Sequence, residues 1–101
     1  MYYIYILYSA VADKYYVGYT NDYTRRLLEH NNSLENTYTS KHRPWKIMAV
    51  FECSIVEKEA IQIERFIKKQ KSRKMVELLC QVDYVPVGRL AKLIRVPYVR
   101  D

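Results

Sequence analysis

Glycine is scarce in this chain, which has only Gly18 and Gly88 among its 101 residues. A glycine-rich loop that binds phosphate through backbone N–H groups is therefore excluded. The two cysteines, Cys53 and Cys80, lack the spacing of a metal site, and we interpret them as reduced core thiols, with a disulfide left open. No apolar run approaches the ~20 residues that span a bilayer, and no basic leader begins the chain, so we expect a cytoplasmic protein without a signal peptide.

Tyrosine and positive charge are abundant instead. Eleven tyrosines stand against two phenylalanines, and each tyrosine brings apolar area together with a hydroxyl that needs a partner when buried. The net charge of +6 favours a polyanionic partner, and a basic surface without a specific partner is the alternative. Half of the residues are apolar and 28% are charged, which is typical of one globular domain at this length.

The segment 2–20 predicts a β-hairpin. Residues 3–7 and 15–19 are β-branched and aromatic, which suits a half-buried pleated surface, and the polar residues between them suit a turn. The hairpin would bring Tyr5 and Tyr16 onto neighbouring strands, where side chains lie roughly 5 Å apart. Gly18 near the end of the second strand predicts a bulge or a close backbone approach.

A helix is predicted to follow the hairpin, from about Asp22 to His30. Arg26 and His30 share one face of it, because residues four apart are neighbours on a helix. The candidates for its buried side are Tyr23, Leu27 and Leu28. Residues 31–44 are predicted to form a loop, and we expect substrate contacts beyond the core in the segment 32–45. Residues 46–51 are predicted to form a third strand.

The longest helix is predicted to begin at a capping box, with Ser54 at the N-cap and Glu57 at N3. Its apolar row is expected to face the core: Ala60, Ile63 and Ile67. Glu64 lies beside this row, and six of the ten residues 65–74 are basic. Ser72 is a candidate cap for a final helix. Residues 1–80 would form one domain. Residues 81–101, whose hydrophobic pattern is weak, would form an extension that packs on this domain or trails from it.

Several catalytic patterns are missing from the sequence: Ser-His-Asp, Cys-His and closely spaced metal-binding carboxylates. What remains is a tyrosine pair, an Arg–His helical face, one mid-helix glutamate and a basic run. These parts suit phosphodiester hydrolysis, which must deprotonate a water and stabilise the charge on phosphorus and on the leaving oxygen. A tyrosine near cations can act as the base, an arginine fork can hold phosphate oxygens, and one glutamate can hold a Mg²⁺ that keeps its waters.

Each of these features also has a structural explanation when taken alone. Tyr5 and Tyr16 are equally explained as core aromatics, and Arg26 as a solvated helix residue. His30 could hydrogen-bond a helix end, and Glu64 could pair with a lysine four residues on. The basic run could be an ordinary solvated helix face, so no single feature decides the question.

The order and spacing of these residues together resemble the GIY-YIG nuclease family over about residues 2–75. The matching segments are Tyr3-Ile4-Tyr5 and Tyr16-Val17-Gly18, followed by Tyr19-Thr20, as the two signatures; Arg26 to Asn31 as the family's helix; and Arg43-Pro44-Trp45, Glu59-Ala60, Glu64 and Lys68. The last group is similar to the small stand-alone bacterial branch, which resembles the nuclease domain of UvrC.

The resemblance implies an α/β (α+β) fold with a central three-stranded antiparallel sheet flanked by helices. It implies DNA hydrolysis by an endonuclease that depends on Mg²⁺ or Mn²⁺ and acts in DNA repair or recombination. Tyr5 and Tyr16 would be the signature tyrosines, one of them the base, with Tyr16 preferred. Arg26 would stabilise the phosphate, Glu64 would bind the metal, and His30 would assist near the scissile phosphate.

The basic residues expected to bind DNA, independently of its sequence, are Lys41, Arg43, Arg65, Lys68, Lys69, Lys71, Arg73 and Lys74. The chain departs from the family pattern twice. Tyr3 replaces the first signature glycine, and no asparagine follows Asn36, where several members have one at the active site. A nucleic-acid-binding module with little catalysis and a purely structural domain therefore remain as alternatives.

Overall fold

The computed structural model describes residues 1–32, 39–97 and 99. In this part of the chain, four strands and three helices follow one another with these bounds: β1 Tyr2–Ser9, β2 Lys14–Thr20, α1 Tyr23–Asn32, β3 Lys46–Ser54, α2 Glu57–Lys69, α3 Arg73–Cys80 and β4 Ile94–Arg95. Two short 3₁₀ helices lie between them, at Thr39–His42 and Gly88–Leu90. None of the described helices is long and apolar enough to cross a membrane.

The strands form one antiparallel sheet in the order β2-β1-β3-β4. The predicted hairpin is β1 and β2, and the predicted third strand is β3. The expected three strands are therefore present, and the structure adds a fourth, β4, which pairs Arg95 with Phe51 and Ile94 with Glu52. A strand of two residues shows no alternation in the sequence, so only its pairing with β3 reveals it.

Helices cover both faces of the sheet. On one face, Ile4, Ile6 and Phe51 pack with α2 and α3, and the predicted row of α2 is buried there as expected: Ala60, Ile63 and Ile67. Cys53 and Cys80 lie in the same cluster as free, buried thiols. The residues buried on the opposite face are Tyr5, Leu7, Trp45, Ile47 and Val50, with Tyr23 and Leu27 of α1 packed on them. The prediction that Leu28 is buried is wrong, because its side of α1 faces solvent and the residue is 59% exposed.

The start of α2 differs from the predicted capping box. The N-cap residue is Val56, without a side-chain cap, and Ser54 is the last residue of β3. The Ser54 hydroxyl accepts a hydrogen bond from Val56 N at 3.0 Å and donates one to the Glu59 carboxylate. Because β3 continues to Ser54, the helix begins later than the pattern indicated. The predicted cap of α3 is confirmed, since Ser72 Oγ accepts from Met75 N at 3.1 Å.

The segment after α3 returns to the sheet. Leu90 and Leu93 are buried in the cluster beneath α2 and α3, and Val96 packs on the opposite face. The Val96 N–H donates to the Val50 carbonyl at 2.8 Å, which extends the pairing of β4 with β3. Residues 84–87 form neither helix nor strand. Of the predicted extension, Tyr98, Arg100 and Asp101 lie outside the described residues.

Arg95 of β4 holds this segment to the end of α3. Its guanidinium donates to four carbonyl oxygens at 2.9 to 3.4 Å, those of Met48, Leu79, Cys80 and Gln81. It also lies over the Phe51 ring, 5.6 Å from the centroid. Carbonyls at a helix C-terminus lack partners within the helix, and a cation there also complements the helix dipole. One side chain thus connects β3, α3 and β4.

We expect Arg95→Met to lower the free energy of unfolding by about 2 kcal/mol, because hydrogen bonds from a charged donor are lost and carbonyls lose their partner. Urea unfolding followed by circular dichroism measures the change. Arg89→Met is the matched control, since Arg89 is exposed and lies over the Phe66 ring at 5.1 Å. Equal losses in the two variants would contradict the assigned role of Arg95.

Candidate active site

Tyr5 and Tyr16 face the same side of the hairpin. In the pairing of β1 with β2, Tyr5 lies opposite Gly18, and Tyr16 lies opposite Leu7. The two tyrosines are therefore diagonal neighbours, with ring centroids 6.3 Å apart, rather than a directly opposed pair. Diagonal pairs on a sheet are still within reach of aromatic side chains.

Gly18 provides the space for Tyr5. A methyl group at position 18 would overlap the hydroxyl and the ring of Tyr5, so any larger residue would displace that ring. The β1–β2 register runs without a shift through this pair. Of the two predicted explanations for this glycine, the structure therefore shows the close approach and not the bulge.

His30 reaches Tyr5 from α1. Its Nε2 lies 2.8 Å from the Tyr5 hydroxyl, and its ring meets the Tyr16 ring edge-on at 5.0 Å between centroids. His30 is only 4% exposed. Burial lowers the pKa of His30 to about 4, with the nearby Arg26 charge contributing, so the imidazole is neutral at pH 7.

The Tyr5 hydroxyl is held in its protonated form by its surroundings. Burial raises the pKa of Tyr5 above its ordinary value, and Tyr16 adds to this, whereas the adjacent Arg26 guanidinium opposes it. Tyr16 is placed differently, since it is only partly buried at the edge strand β2. The two signature tyrosines therefore differ in access to solvent.

Arg26 lies one helical turn before His30 on α1. Its side chain is 41% exposed, and Nη1 is 3.3 Å from Glu29 Oε1. Asp22 stabilises the start of this helix, because its carboxylate accepts the Arg25 N–H at 3.1 Å. The Arg26 guanidinium contacts Tyr5 on one side and solvent on the other.

Glu64 approaches from α2. Its side chain is 17% exposed, and its Oε1 lies 3.4 Å from Lys68 Nζ. The same Nζ lies 4.9 Å from the centroid of the Tyr16 ring. The lysine partner considered from the sequence is thus present, and it also contacts Tyr16.

These side chains open onto two adjacent cavities. The first, which we call the cleft, has a volume of about 440 Å³ and is lined by Tyr5, Tyr16, Arg26 and Glu64, among others. The second, which we call the basic groove, has a volume of about 370 Å³, and its polar and aromatic lining includes Lys14, Tyr15, Tyr16, Lys68, Lys71 and Arg73. Tyr16 lines both. Four of the five predicted catalytic residues line the cleft, and His30 lies behind Tyr5.

The predicted DNA-binding residues are divided between the basic groove and positions outside both cavities. Lys68, Lys71 and Arg73 line the basic groove, and Arg73 is also paired with Asp13, with 2.6 Å between Nη2 and Oδ1. The remaining residues of the basic run, together with Lys41, are exposed outside the cleft and the groove: Arg65, Lys69 and Lys74. Arg43 has an internal role, since its Nε donates to the His30 carbonyl at 2.9 Å.

The part of the chain that the structure describes contains no cluster of three or more His, Cys, Asp or Glu side chains that could hold a metal ion. Glu64 lies at the wall of the open cleft, which Glu29 and Glu57 also line. A site of this kind suits Mg²⁺, which is usually bound through one or two carboxylates and keeps several waters. The residues present therefore fit a Mg²⁺-type ion with Glu64 as its protein ligand.

Sequence reasoning did not assign several residues that the structure brings to the site. Lys14 lies far from the basic run in sequence but lines the groove, and Tyr19, Asn21 and Arg25 line the cleft. The side chain of Asn31 forms two hydrogen bonds with the backbone of Trp45, at 2.7 and 3.0 Å. Its place after His30 in the family helix was the one signal that could have drawn attention to it.

The antiparallel sheet with helices on both faces and a cleft at its tyrosine-rich edge is the fold expected of a GIY-YIG nuclease. The family model of the GIY-YIG catalytic domain matches residues 1–76, and the chain belongs to this family. The resemblance seen in the sequence is thus confirmed. The family's nucleases generally act on DNA and use divalent metal ions.

Within the family, the chain is similar to bacterial proteins of the UPF0213 group. It is 37% identical over 90 residues to a UPF0213 protein of Bacillus licheniformis, covering 83% of this chain and 90% of that protein. It is 42% identical over 57 residues to one of Listeria welshimeri, covering 56% of this chain and 62% of the relative. With the UPF0213 protein YazA of Bacillus subtilis it shares 34% identity over 62 residues, 61% of this chain and 62% of that protein.

The lowered pKa of His30 makes stability depend on pH. Between pH 6.5 and 4 the unfolded chain takes up a proton at this residue and the folded chain does not, so stability falls as the pH falls. We expect this group to contribute a loss of about 2 kcal/mol between pH 7.5 and pH 5. Urea unfolding at both pH values measures it.

His30→Gln should lose that component of the pH dependence, whereas His42→Gln should keep it. An unchanged difference between the two pH values in His30→Gln would show that another group carries the effect.

Proposed function

We propose that this protein is a divalent-metal-dependent endonuclease that hydrolyses phosphodiester bonds in DNA. The observation that supports this most strongly is that Tyr16 of β2, Arg26 of α1 and Glu64 of α2 line one cleft. These elements are separate in the chain, and each supplies a group that the reaction needs. A base, a cation for the phosphate and a carboxylate for the metal are thus available on one surface.

Tyr16 is the better candidate for the base. Tyr5 is 2% exposed, and burial raises its pKa, which disfavours the phenolate that a base requires. Tyr16 lies at the accessible wall of the cleft with the Lys68 ammonium over its ring. Tyr16 would therefore take the proton from the attacking water.

Arg26 would bind the scissile phosphate. Its guanidinium is partly exposed in the cleft, and its planar fork suits two oxygens of a phosphate. Tyr5 and His30 would act as positioning residues behind it, because their hydrogen bond is buried and His30 does not line the cleft. His30, neutral at pH 7, would hold the Tyr5 hydroxyl in place rather than supply positive charge.

Glu64 would hold the metal, Mg²⁺ or Mn²⁺, which when bound supplies positive charge for the phosphate and the leaving oxygen. Asn36, the last asparagine in the sequence, lies outside the described residues. Asn21 lines the cleft, and its Oδ1 accepts from Arg25 Nη2 at 3.3 Å. Asn21 therefore supplies an amide side chain to the wall of the cleft.

The basic groove would guide the DNA backbone towards the cleft, since Tyr16 lines both. Contacts with phosphates position a nucleic acid without reading its sequence. We therefore propose binding that depends little on sequence, with targeting through the shape of the DNA or a partner protein, as in repair or recombination. Residues 81–101 would support the domain rather than take part in the reaction.

The ion pair between Glu64 and Lys68 favours one alternative. A carboxylate that is permanently neutralised by lysine would leave a nucleic-acid-binding module with little catalysis. Such a protein would bind DNA in a salt-sensitive manner, because phosphate contacts release counterions. It would not cleave the DNA.

A nicking assay on supercoiled and branched DNA, with Mg²⁺ or Mn²⁺, tests the proposal. We expect the wild type to cleave, and we expect Tyr16→Phe and Glu64→Ala to lose at least about a hundredfold in rate, as is typical for removal of a general base or a charge-stabilising group. All proteins should be purified identically.

Tyr84→Phe and Glu77→Ala are the matched controls, since neither residue lines the cleft. Cleavage by all five proteins would indicate a contaminant or a wrongly assigned site. Binding without cleavage by the wild type would favour the binding module.

A further inference from the structure

Lys68 occupies a position between the groups proposed for catalysis. Its Nζ lies 3.4 Å from Glu64 Oε1 and 4.9 Å from the centroid of the Tyr16 ring. It belongs to the wall of the basic groove, whereas Glu64 belongs to the cleft. One ammonium therefore contacts the carboxylate of the metal site and borders the proposed path of the DNA.

The ion pair occupies the carboxylate that the metal would use. A divalent ion that approaches Glu64 meets the positive charge of the Lys68 ammonium. Either the ammonium moves away, or it repels the ion and weakens its binding. The pair is formed four residues apart on one helix, and the Lys68 side chain is 45% exposed. Pairs four residues apart on one helix contribute little, and water screens the exposed Lys68 ammonium, so displacement of the lysine costs little.

A phosphate in the basic groove offers Lys68 another partner. The side chain of lysine is a hydrated point charge on a flexible four-carbon stem, which can change partners without movement of the helix. Lys14 and Lys71 line the same groove and favour an anion there, whereas Arg73 is paired with Asp13 and Glu77. When DNA attracts Lys68, the carboxylate of Glu64 becomes available to a metal ion.

We propose that Lys68 is a displaceable counter-ion of Glu64 that couples metal binding to DNA binding. It is a positioning residue: without DNA it neutralises the metal ligand and weakens metal binding, and with DNA it turns to the phosphate. This inference rests on the proposed function, since it assumes that Glu64 is the metal ligand. By linkage, DNA raises the affinity for the metal by the same factor as the metal raises the affinity for DNA.

The first test measures Mn²⁺ binding to the DNA-free protein by electron paramagnetic resonance. We expect Lys68→Met to bind Mn²⁺ about two- to fivefold more tightly than the wild type, which is the range that corresponds to the loss of an exposed ion pair. Lys68→Arg, which keeps the charge, should bind like the wild type. Glu64→Gln in the Lys68→Met background should lose the binding gained.

Lys69→Met is the matched control, because it removes the same charge from the next residue of α2, which is exposed and lies outside the cleft and the groove. The gain in Mn²⁺ affinity in Lys68→Met must exceed the gain in Lys69→Met. Equal gains would overturn the proposal, since the effect would then be one of net charge. No detectable Mn²⁺ binding by Lys68→Met would also overturn it. Thermal unfolding of each variant checks that it is folded.

The second test measures coupling by fluorescence anisotropy of a labelled DNA duplex, in EDTA and in Mn²⁺. The Tyr16→Phe background limits cleavage and keeps the ring under Lys68. Mn²⁺ should strengthen DNA binding more with Lys68 present than in Lys68→Met, by the factor found in the first test. Equal strengthening would overturn the coupling. Neither test depends on cleavage, so a failed nicking assay and a failed coupling test are distinguishable.

Discussion

The buried hydrogen bond between the Tyr5 hydroxyl and His30 Nε2 is the contact on which the site depends. It joins the central strand β1 to α1, and it forms because Gly18 leaves room for the Tyr5 ring on the sheet. A buried hydroxyl without a partner would be costly, so Tyr5 ties the helix to the sheet. Arg26, one turn earlier on that helix, is thereby held at the cleft.

Charge is distributed unevenly around this contact. On the side away from solvent, His30 is neutral because it is buried, and the apolar cluster on that face of the sheet lies next to it. In front of it, Arg26, Glu64 and Lys68 are partly exposed and can exchange partners. A buried, neutral support with partly exposed charges in front of it suits the proposed site, which would hold a phosphate and a metal ion only when substrate is present. Preorganised groups cost less to align at the moment of reaction.

Patterns within single elements were predictable from the sequence, and contacts between elements were less so. The hairpin and the buried row of α2 follow from periodicity, and both are present in the structure. The capping box failed because it was inferred from spacing alone, whereas pairing with β1 extends β3 to Ser54. The position of β4 depends on the carbonyls that Arg95 meets, which come from β3 and from the end of α3.

The family and the chemical groups of the site were evident from the order and spacing of Tyr5, Tyr16, Arg26 and Glu64, which are properties of the chain. How those groups differ from one another depends on the fold. Tyr5 is enclosed and Tyr16 accessible, although both stand in aromatic strands. The pairing of Lys68 with Glu64 could be considered from their spacing in the sequence, but the contact of Lys68 with the Tyr16 ring was known only from the structure. The exposure, the pKa and the partners of each side chain in the site depend on atoms contributed by distant segments. Packing alone brings those segments together.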